Sequence, residues 1–144
     1  MDALSYHSLS RLIAIGSTSL LQYLRDSSPF ARNDSAGTLT KALKLADEER
    51  EAAEQMTRWL QKRHERIPKT GGFPSQFTTM NFCTIEYLLP KLSSETVREI
   101  AEIERIASQV QNDEVHALVQ GFLDMKRRHL HSLAEFATPK TPAA

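Results

Sequence analysis

The stretch Leu45-Ala-Asp-Glu-Glu-Arg-Glu-Ala-Ala-Glu54 lies in the middle of a long amphipathic pattern in this 144-residue chain. Apolar residues before and after it recur every three or four positions, which is the spacing of one face of an α-helix. The pattern therefore predicts a helix over about 36–66. One carboxylate, Glu49, falls on the otherwise apolar inner stripe, which consists of Leu39, Leu43, Ala46, Glu49 or Arg50, Ala53, Met56, Leu60 and Ile67.

Three further segments show helical spacing of their apolar residues. They predict a first helix over 3–26, a third over 78–111 and a fourth over 114–137. Proline removes a backbone donor and disfavours helix in the residue before it, so we expect the third helix to be kinked or broken near Pro90. The fold class is therefore all-α, a four-helix bundle of ferritin-like or up-and-down topology.

The same spacing predicts side-chain directions and helix ends. On the third helix, Val97 is expected to point inward and Glu99 outward. Asp2 or Ser5 is available to cap the first helix, and Asp113 to cap the fourth.

One domain over 1–137 accommodates all four helices, and the tail 138–144 is predicted to be disordered because it has nothing to bury. The segment 67–77 contains two prolines and two glycines, which end the second helix. Fully extended, it reaches ~36–40 Å, about the length of a helix of ~25 residues. A compact turn and a full-length crossover are therefore both open.

The amino-acid composition limits the classes of partner that are expected for this chain. Eighteen basic and eighteen acidic residues give a net charge of zero, which favours neither nucleic acid nor an anionic membrane. A single cysteine, Cys83, is too few for a structural zinc site. The N-terminus lacks the pattern of a signal peptide, and no apolar stretch approaches ~18 residues. We therefore predict a cytoplasmic protein with no nucleic-acid or membrane partner.

The stretch around Glu49 resembles the second helix of ferritin-like proteins, including rubrerythrin and bacterioferritin relatives. Those bundles hold two iron ions with one Glu from each of two helices and a Glu-x-x-His motif from each of the other two. The resemblance places these motifs on Glu49 with Ala52 and on Lys126 with His129, so only Glu49 and His129 match. No Glu occurs in residues 1–26. The resemblance thus implies a ferritin-like layout without a functional di-iron centre.

A replacement for the metal follows from the same positions. Glu49, Lys126 and His129 lie near the middle of their predicted helices, and an ammonium cannot ligate a metal at neutral pH. A buried salt bridge between Glu49 and Lys126 could therefore occupy the vestigial metal site. Equally, Lys126 could extend to solvent and leave Glu49 partly hydrated.

Two functions are compatible with this pattern. The first is a non-enzymatic interaction or small-ligand-binding protein with no catalytic residue and no cofactor. The alternative is a divergent metal-binding protein or di-iron oxidoreductase, whose iron ligands would be Glu49, Glu86, Asp124 and His129.

The partner is expected to be a second copy of the chain, another protein or a small molecule. Leu45, Ala52 and Trp59 form a heptad-spaced line that can either flank the core or meet a second subunit in a homodimer. A small-molecule site would need an apolar cavity beneath a set of aromatic residues, namely Phe73, Phe77, Phe82 and Trp59.

Overall fold

The structure, a computed structural model, describes residues 1–27, 37–80 and 83–137. The predicted disorder of the tail and the predicted role of Phe82 fall outside these residues. Every regular element within them is helical, which confirms the all-α class. The elements are α1 (Ala3–Thr18), α2 (Leu20–Ser27), α3 (Thr38–Lys62), a 3₁₀ helix (Ser75–Met80), α4 (Ile85–Gln109) and α5 (Asp113–Ala137).

Ser19 divides the first predicted helix in two, so the prediction of one continuous helix over 3–26 is wrong. Its backbone is extended, with φ −67° and ψ 164°. The Ser19 hydroxyl accepts the N–H of Gln22 at 3.2 Å, and its carbonyl accepts that of Tyr23 at 3.0 Å. This is the arrangement of an N-cap, in which a serine competes for the backbone and starts a new helix. Ser19 therefore begins α2.

Pro90 does not break α4, which runs without interruption from Ile85 to Gln109. The helix starts later than predicted, after Thr84, whose side chain accepts the N–H of Tyr87 at 3.3 Å. Pro90 consequently lies only in the second turn and leaves one carbonyl, that of Glu86, without its helical donor. Pro90 and Glu86 are both exposed, so water can solvate that carbonyl.

The structure also tests the expectations about helix caps and inward-facing residues. Asp2 caps α1 as predicted, with its carboxylate accepting the Ser5 N–H at 2.9 Å. Asn112 rather than Asp113 caps α5, because the Asn112 side chain accepts the Val115 N–H at 3.0 Å. Val97 and Ile67, both predicted to be inward, are 53% and 48% exposed, and Ile67 lies beyond the end of α3.

The core consists of two hydrophobic clusters, one at each end of the molecule. The first contains Leu9, Leu12, Met56, Leu60, Ile103, Val115 and Phe122. The second contains Leu20, Leu24, Ala42, Leu88, Leu92 and Leu133. Helices α3, α4 and α5 and the α1–α2 pair each pass from one cluster to the other. Between the two clusters each of them carries polar or small residues. The interior therefore has a polar layer across its middle.

The order of the clusters along each helix gives its direction. The α1–α2 pair and α5 run from the first cluster to the second, whereas α3 and α4 run from the second to the first. The connection between α3 and α4 contacts Tyr6 of α1 through Arg66, and then Tyr23 of α2 through Phe73, with ring centroids 5.3 Å apart. Tyr6 and Tyr23 are separated by roughly 25 Å of helix. The segment 67–77 is therefore a crossover rather than a compact turn.

Gly16 sets the approach of α1 to α3 beside the polar layer. A Cβ at this position would lie 3.1 Å from the Cβ of Ala53 and 3.4 Å from the ring of Phe122. The two helices can pack this closely because Gly16 has no side chain.

Candidate functional site

The polar layer is centred on a lysine that has no access to solvent. Lys126 of α5 and Glu49 of α3 are both 0% exposed, and the Lys126 ammonium donates to the Glu49 carboxylate. The same ammonium lies 3.0 Å from a carboxylate oxygen of Glu99 on α4, whose side chain is 15% exposed. Three helices thus each contribute one charge to a single cluster.

Glu99 was expected to point outward, and that prediction is wrong. On α4 the buried residues around Glu99 include Thr96, three positions before it, Ile100, which follows it directly, and Ile103, four positions after it. The spacing Leu92, Thr96, Glu99 and Ile103 is itself helical, and it places Glu99 on the inner face. Val97 was therefore assigned to the wrong face of α4.

Neutral groups complete the surroundings of Glu49. The Ser19 hydroxyl donates to one carboxylate oxygen, and the amide of Gln22 donates to the same oxygen at 2.9 Å. Gln22 is fully buried and also donates to the carbonyl of Ala46 at 2.7 Å, while its own oxygen accepts from Arg50 at 3.2 Å. A buried carboxylate is tolerated when its lone pairs all have donors. Ser19 and Gln22 could not be assigned to this site from the sequence, because polar residues are common near the end of a helix.

The charges of the cluster follow from competing effects. Burial lowers the pKa of Lys126, but the carboxylates of Glu49 and Glu99 outweigh it and raise that pKa to about 12. For Glu99, burial and the negative charge of Glu49 raise the pKa to about 7, although Lys126 opposes them. At neutral pH the ammonium is therefore charged, and Glu99 is poised to bind or release a proton.

His129 lies one turn beyond Lys126 and is also fully buried. Its Nε2 is 2.6 Å from a carboxylate oxygen of Glu48, which Arg128 also contacts at 3.3 Å. Burial lowers the pKa of His129, so the neutral ring donates its Nε2 proton to Glu48. Burial opposes ionisation of Glu48, yet the contacts of His129 and Arg128 lower its pKa. Within the described residues, Nδ1 of His129 has no hydrogen-bond partner.

The residues at this site do not fit a di-iron centre. Glu49 and His129 are buried, but Glu86 and Asp124 of the alternative ligand set are exposed, and Asp124 lies 3.7 Å from Arg127. In the described part of the chain, no group of three or more His, Cys, Asp and Glu side chains could hold a metal ion. A cation placed between Glu49 and Glu99 would meet the ammonium of Lys126 and be repelled.

A groove between α3 and α5 lies beside the His129–Glu48 pair. Its volume is about 410 Å³, and its floor is formed by Met56, Phe122 and Met125. The ion pair of Glu48 with Arg128 closes one end of this α3/α5 groove.

The aromatic residues beneath which a small-molecule site would need an apolar cavity do not come together, as far as they are described. Trp59 packs against the first cluster, with the Arg63 guanidinium 3.6 Å from its ring centroid. Phe73 and Phe77 instead contact Tyr23 at the second cluster. The aromatic residues are thus divided between the two ends of the molecule.

Comparison with known proteins assigns neither a family nor a function to this chain. The chain matches no protein family, no curated protein and no solved structure. Across the described residues, no helix is both long enough and apolar enough to cross a membrane. Function must therefore be inferred from the side chains of this chain.

Proposed function

We propose that this protein is a non-enzymatic ferritin-like bundle, in which the Lys126 ammonium takes the position that metal ions occupy in that layout. The observation that carries this proposal is the complete burial of Lys126 between Glu49 and Glu99. These three charges come from α5, α3 and α4, which correspond to three of the four helices that supply metal ligands in a ferritin-like bundle.

The path of the chain supports the ferritin-like part of the proposal. Among four-helix bundles, ferritin-like folds have one long crossover and otherwise short connections. Here α3 and α4 run in the same direction and are joined by the crossover, whereas α4 and α5 are joined across 110–112. The α1–α2 pair corresponds to one bundle helix interrupted at Ser19.

The hydrogen bonds of the cluster support the non-enzymatic part. Both oxygens of Glu49 accept from donors inside the protein, and the ammonium of Lys126 is shared between two carboxylates. Groups that are saturated in this way position helices but are not available to a metal or a substrate. A buried charge cluster of this kind can specify one arrangement of the helices.

Iron content tests the proposal directly. After anaerobic incubation with ferrous iron and desalting, we expect the wild-type protein to retain no stoichiometric iron, because a cation already lies between the two carboxylates. Elemental analysis measures this, with Glu49→Gln, Glu86→Gln and Asp124→Asn as parallel samples. Stoichiometric iron in the wild type that Glu49→Gln abolishes would instead support the divergent di-iron oxidoreductase.

The α3/α5 groove favours a second candidate function, the binding of a small molecule. Its volume lies within the range of ligand pockets, and a few polar groups border an apolar floor. Two carboxylates, Glu48 and Glu51, line it against one guanidinium, Arg128. The lining itself carries one net negative charge, and Arg58, which pairs with Glu51 at 2.8 Å, is not part of it, so a small aromatic amine complements the groove better than an anion does.

Gly121 allows this groove to be closed without disturbing the core. A Cβ at Gly121 would meet nothing within 4 Å, and replacing a helical glycine stabilises a helix by up to about 1 kcal/mol. We expect Gly121→Leu to fold normally and to abolish binding of phenethylamine, with Gly121→Ala as the graded control. Chemical shift changes in an NMR titration report the binding. Equal shifts in Gly121→Leu, or equal binding of phenylpropionate, would contradict this function.

The homodimer expected from the sequence stays a prediction and does not depend on either proposed function. In the structure Ala52 and Trp59 pack against the first cluster and Leu45 against the second, so this line flanks the core. All three side chains are only half-buried, which leaves part of the line available to a second copy. Light scattering on the purified protein would give the number of chains in the particle.

A further inference from the structure

The segment that follows α3 is held against the start of α1. The Tyr6 hydroxyl donates to the carbonyl of Arg66 at 2.8 Å, and the guanidinium of Arg66 lies 5.9 Å from the centre of the Tyr6 ring. The N-terminal ammonium of Met1 lies 3.8 Å from the carboxylate of Glu65 in the same segment. A cleft of about 580 Å³ lies between α1 and residues 66–69. We call it the basic cleft.

The charged residues that line the basic cleft are all cations. Arg66 and Lys69 contribute them, and no carboxylate belongs to the lining. Neither residue forms an ion pair within the described part of the chain, whereas Arg11, Arg58 and Arg63 each contact a carboxylate. No carboxylate of the described residues therefore neutralises the positive charge of the cleft.

The other walls of the basic cleft suit an organic group. His7 and Tyr6 present two rings in an edge-to-face arrangement, with centroids 6.1 Å apart. Ile67, on the opposite wall, is 48% exposed and presents an apolar side chain to the cleft. A ligand that fits must therefore combine an anionic group with an apolar or aromatic body.

We propose that the basic cleft binds a small organic phosphate. A phosphate monoester carries up to two negative charges, which Arg66 and Lys69 together can neutralise, and a guanidinium binds two phosphate oxygens in parallel. The body of the ligand then packs against Ile67 and the ring of Tyr6. The cleft has the size of ordinary ligand pockets. This site lies away from the polar layer and the α3/α5 groove, so its existence is independent of the proposed function.

Phenyl phosphate is the first probe. We expect saturable binding in calorimetry, with NMR shift changes confined to residues 4–11 and 65–70, and weaker binding at higher salt because the cations are exposed. The double variant Arg66→Gln with Lys69→Gln should weaken binding at least tenfold, whereas Lys44→Gln, an exposed lysine of α3, should leave it unchanged. Arg66→Lys should fall between them, because it keeps the charge but loses the paired hydrogen bonds.

Two further ligands separate the contribution of the phosphate group from that of the apolar body. Benzyl alcohol, which has no charge, should not bind. Inorganic phosphate should bind more weakly than phenyl phosphate, because it cannot contact Ile67. Unchanged affinity in the double variant, shift changes spread over other cations, or equal binding of inorganic phosphate would each overturn the proposal. Arg66 and Lys69 are exposed, so their variants should keep the melting temperature of the wild type.

Discussion

Replacing Lys126 with methionine is expected to lower the free energy of unfolding by about 3–5 kcal/mol. The reason is that Glu49 is completely buried, and the ammonium of Lys126 is the cation that neutralises it. Methionine fills a similar volume, so the cost comes from the uncompensated carboxylate rather than from a cavity. Urea denaturation followed by circular dichroism measures the change.

A second substitution separates charge from packing. In the Lys126→Met background, Glu49→Gln removes the negative charge while keeping an oxygen that can accept from Ser19 and Gln22. We expect the double variant to recover much of the lost stability, since a buried pair often contributes little net free energy. Arg127→Met, at an exposed neighbour of Lys126, should change stability by less than about 1 kcal/mol. A similar loss in the single and double variants would show that the charge cluster is not the cause.

The stability of this protein is expected to fall as pH rises from about 5 to about 7 through the contribution of Glu99. Its pKa is raised from 4.5 to about 7 in the folded protein, so in this interval the folded state binds a proton that the unfolded state has released. Stability must then decrease with rising pH, by an amount on the order of 2–3 kcal/mol, and level off above the folded pKa. The charges that face Glu99 are Lys126, Glu49, Glu95 and Arg11.

His129 acts in the opposite direction, so the measurement must isolate Glu99. The lowered pKa of His129 means that its contribution is lost as pH falls below about 6.5. The difference in unfolding free energy between the wild type and Glu99→Gln cancels the part due to His129. We expect this difference to decline between pH 5 and 7 and to be constant above. Glu86→Gln, at an exposed acid of the same helix, should show no such decline, and a flat difference for Glu99→Gln would refute the assignment.

Part of the site could be predicted because it depends on helical periodicity. Glu49 and Lys126 each occupy a position on an apolar stripe, and a charged residue on such a stripe is either paired or extended to solvent. The sequence indicated the two residues but left both outcomes open. Glu99 was assigned to the wrong face because hydrophobicity favours Val97 over a carboxylate at an inward position.

What the sequence by itself determined about this protein is the all-α class and the buried face of α3, because these depend on local spacing. Tertiary structure alone decided that Lys126 is buried rather than solvated, since that requires carboxylates from two other helices at one level of the interior. It also decided that Ser19 interrupts the first helix, because the hydroxyl that starts α2 also donates to Glu49, thirty positions away in the chain. The length of the segment 67–77 allowed both a compact turn and a crossover. The contacts of the α3–α4 connection with Tyr6 and Tyr23, at opposite ends of the α1–α2 pair, show that it is a crossover. Contacts between distant residues depend on how helices pack, and periodicity within one helix carries no information about its neighbours.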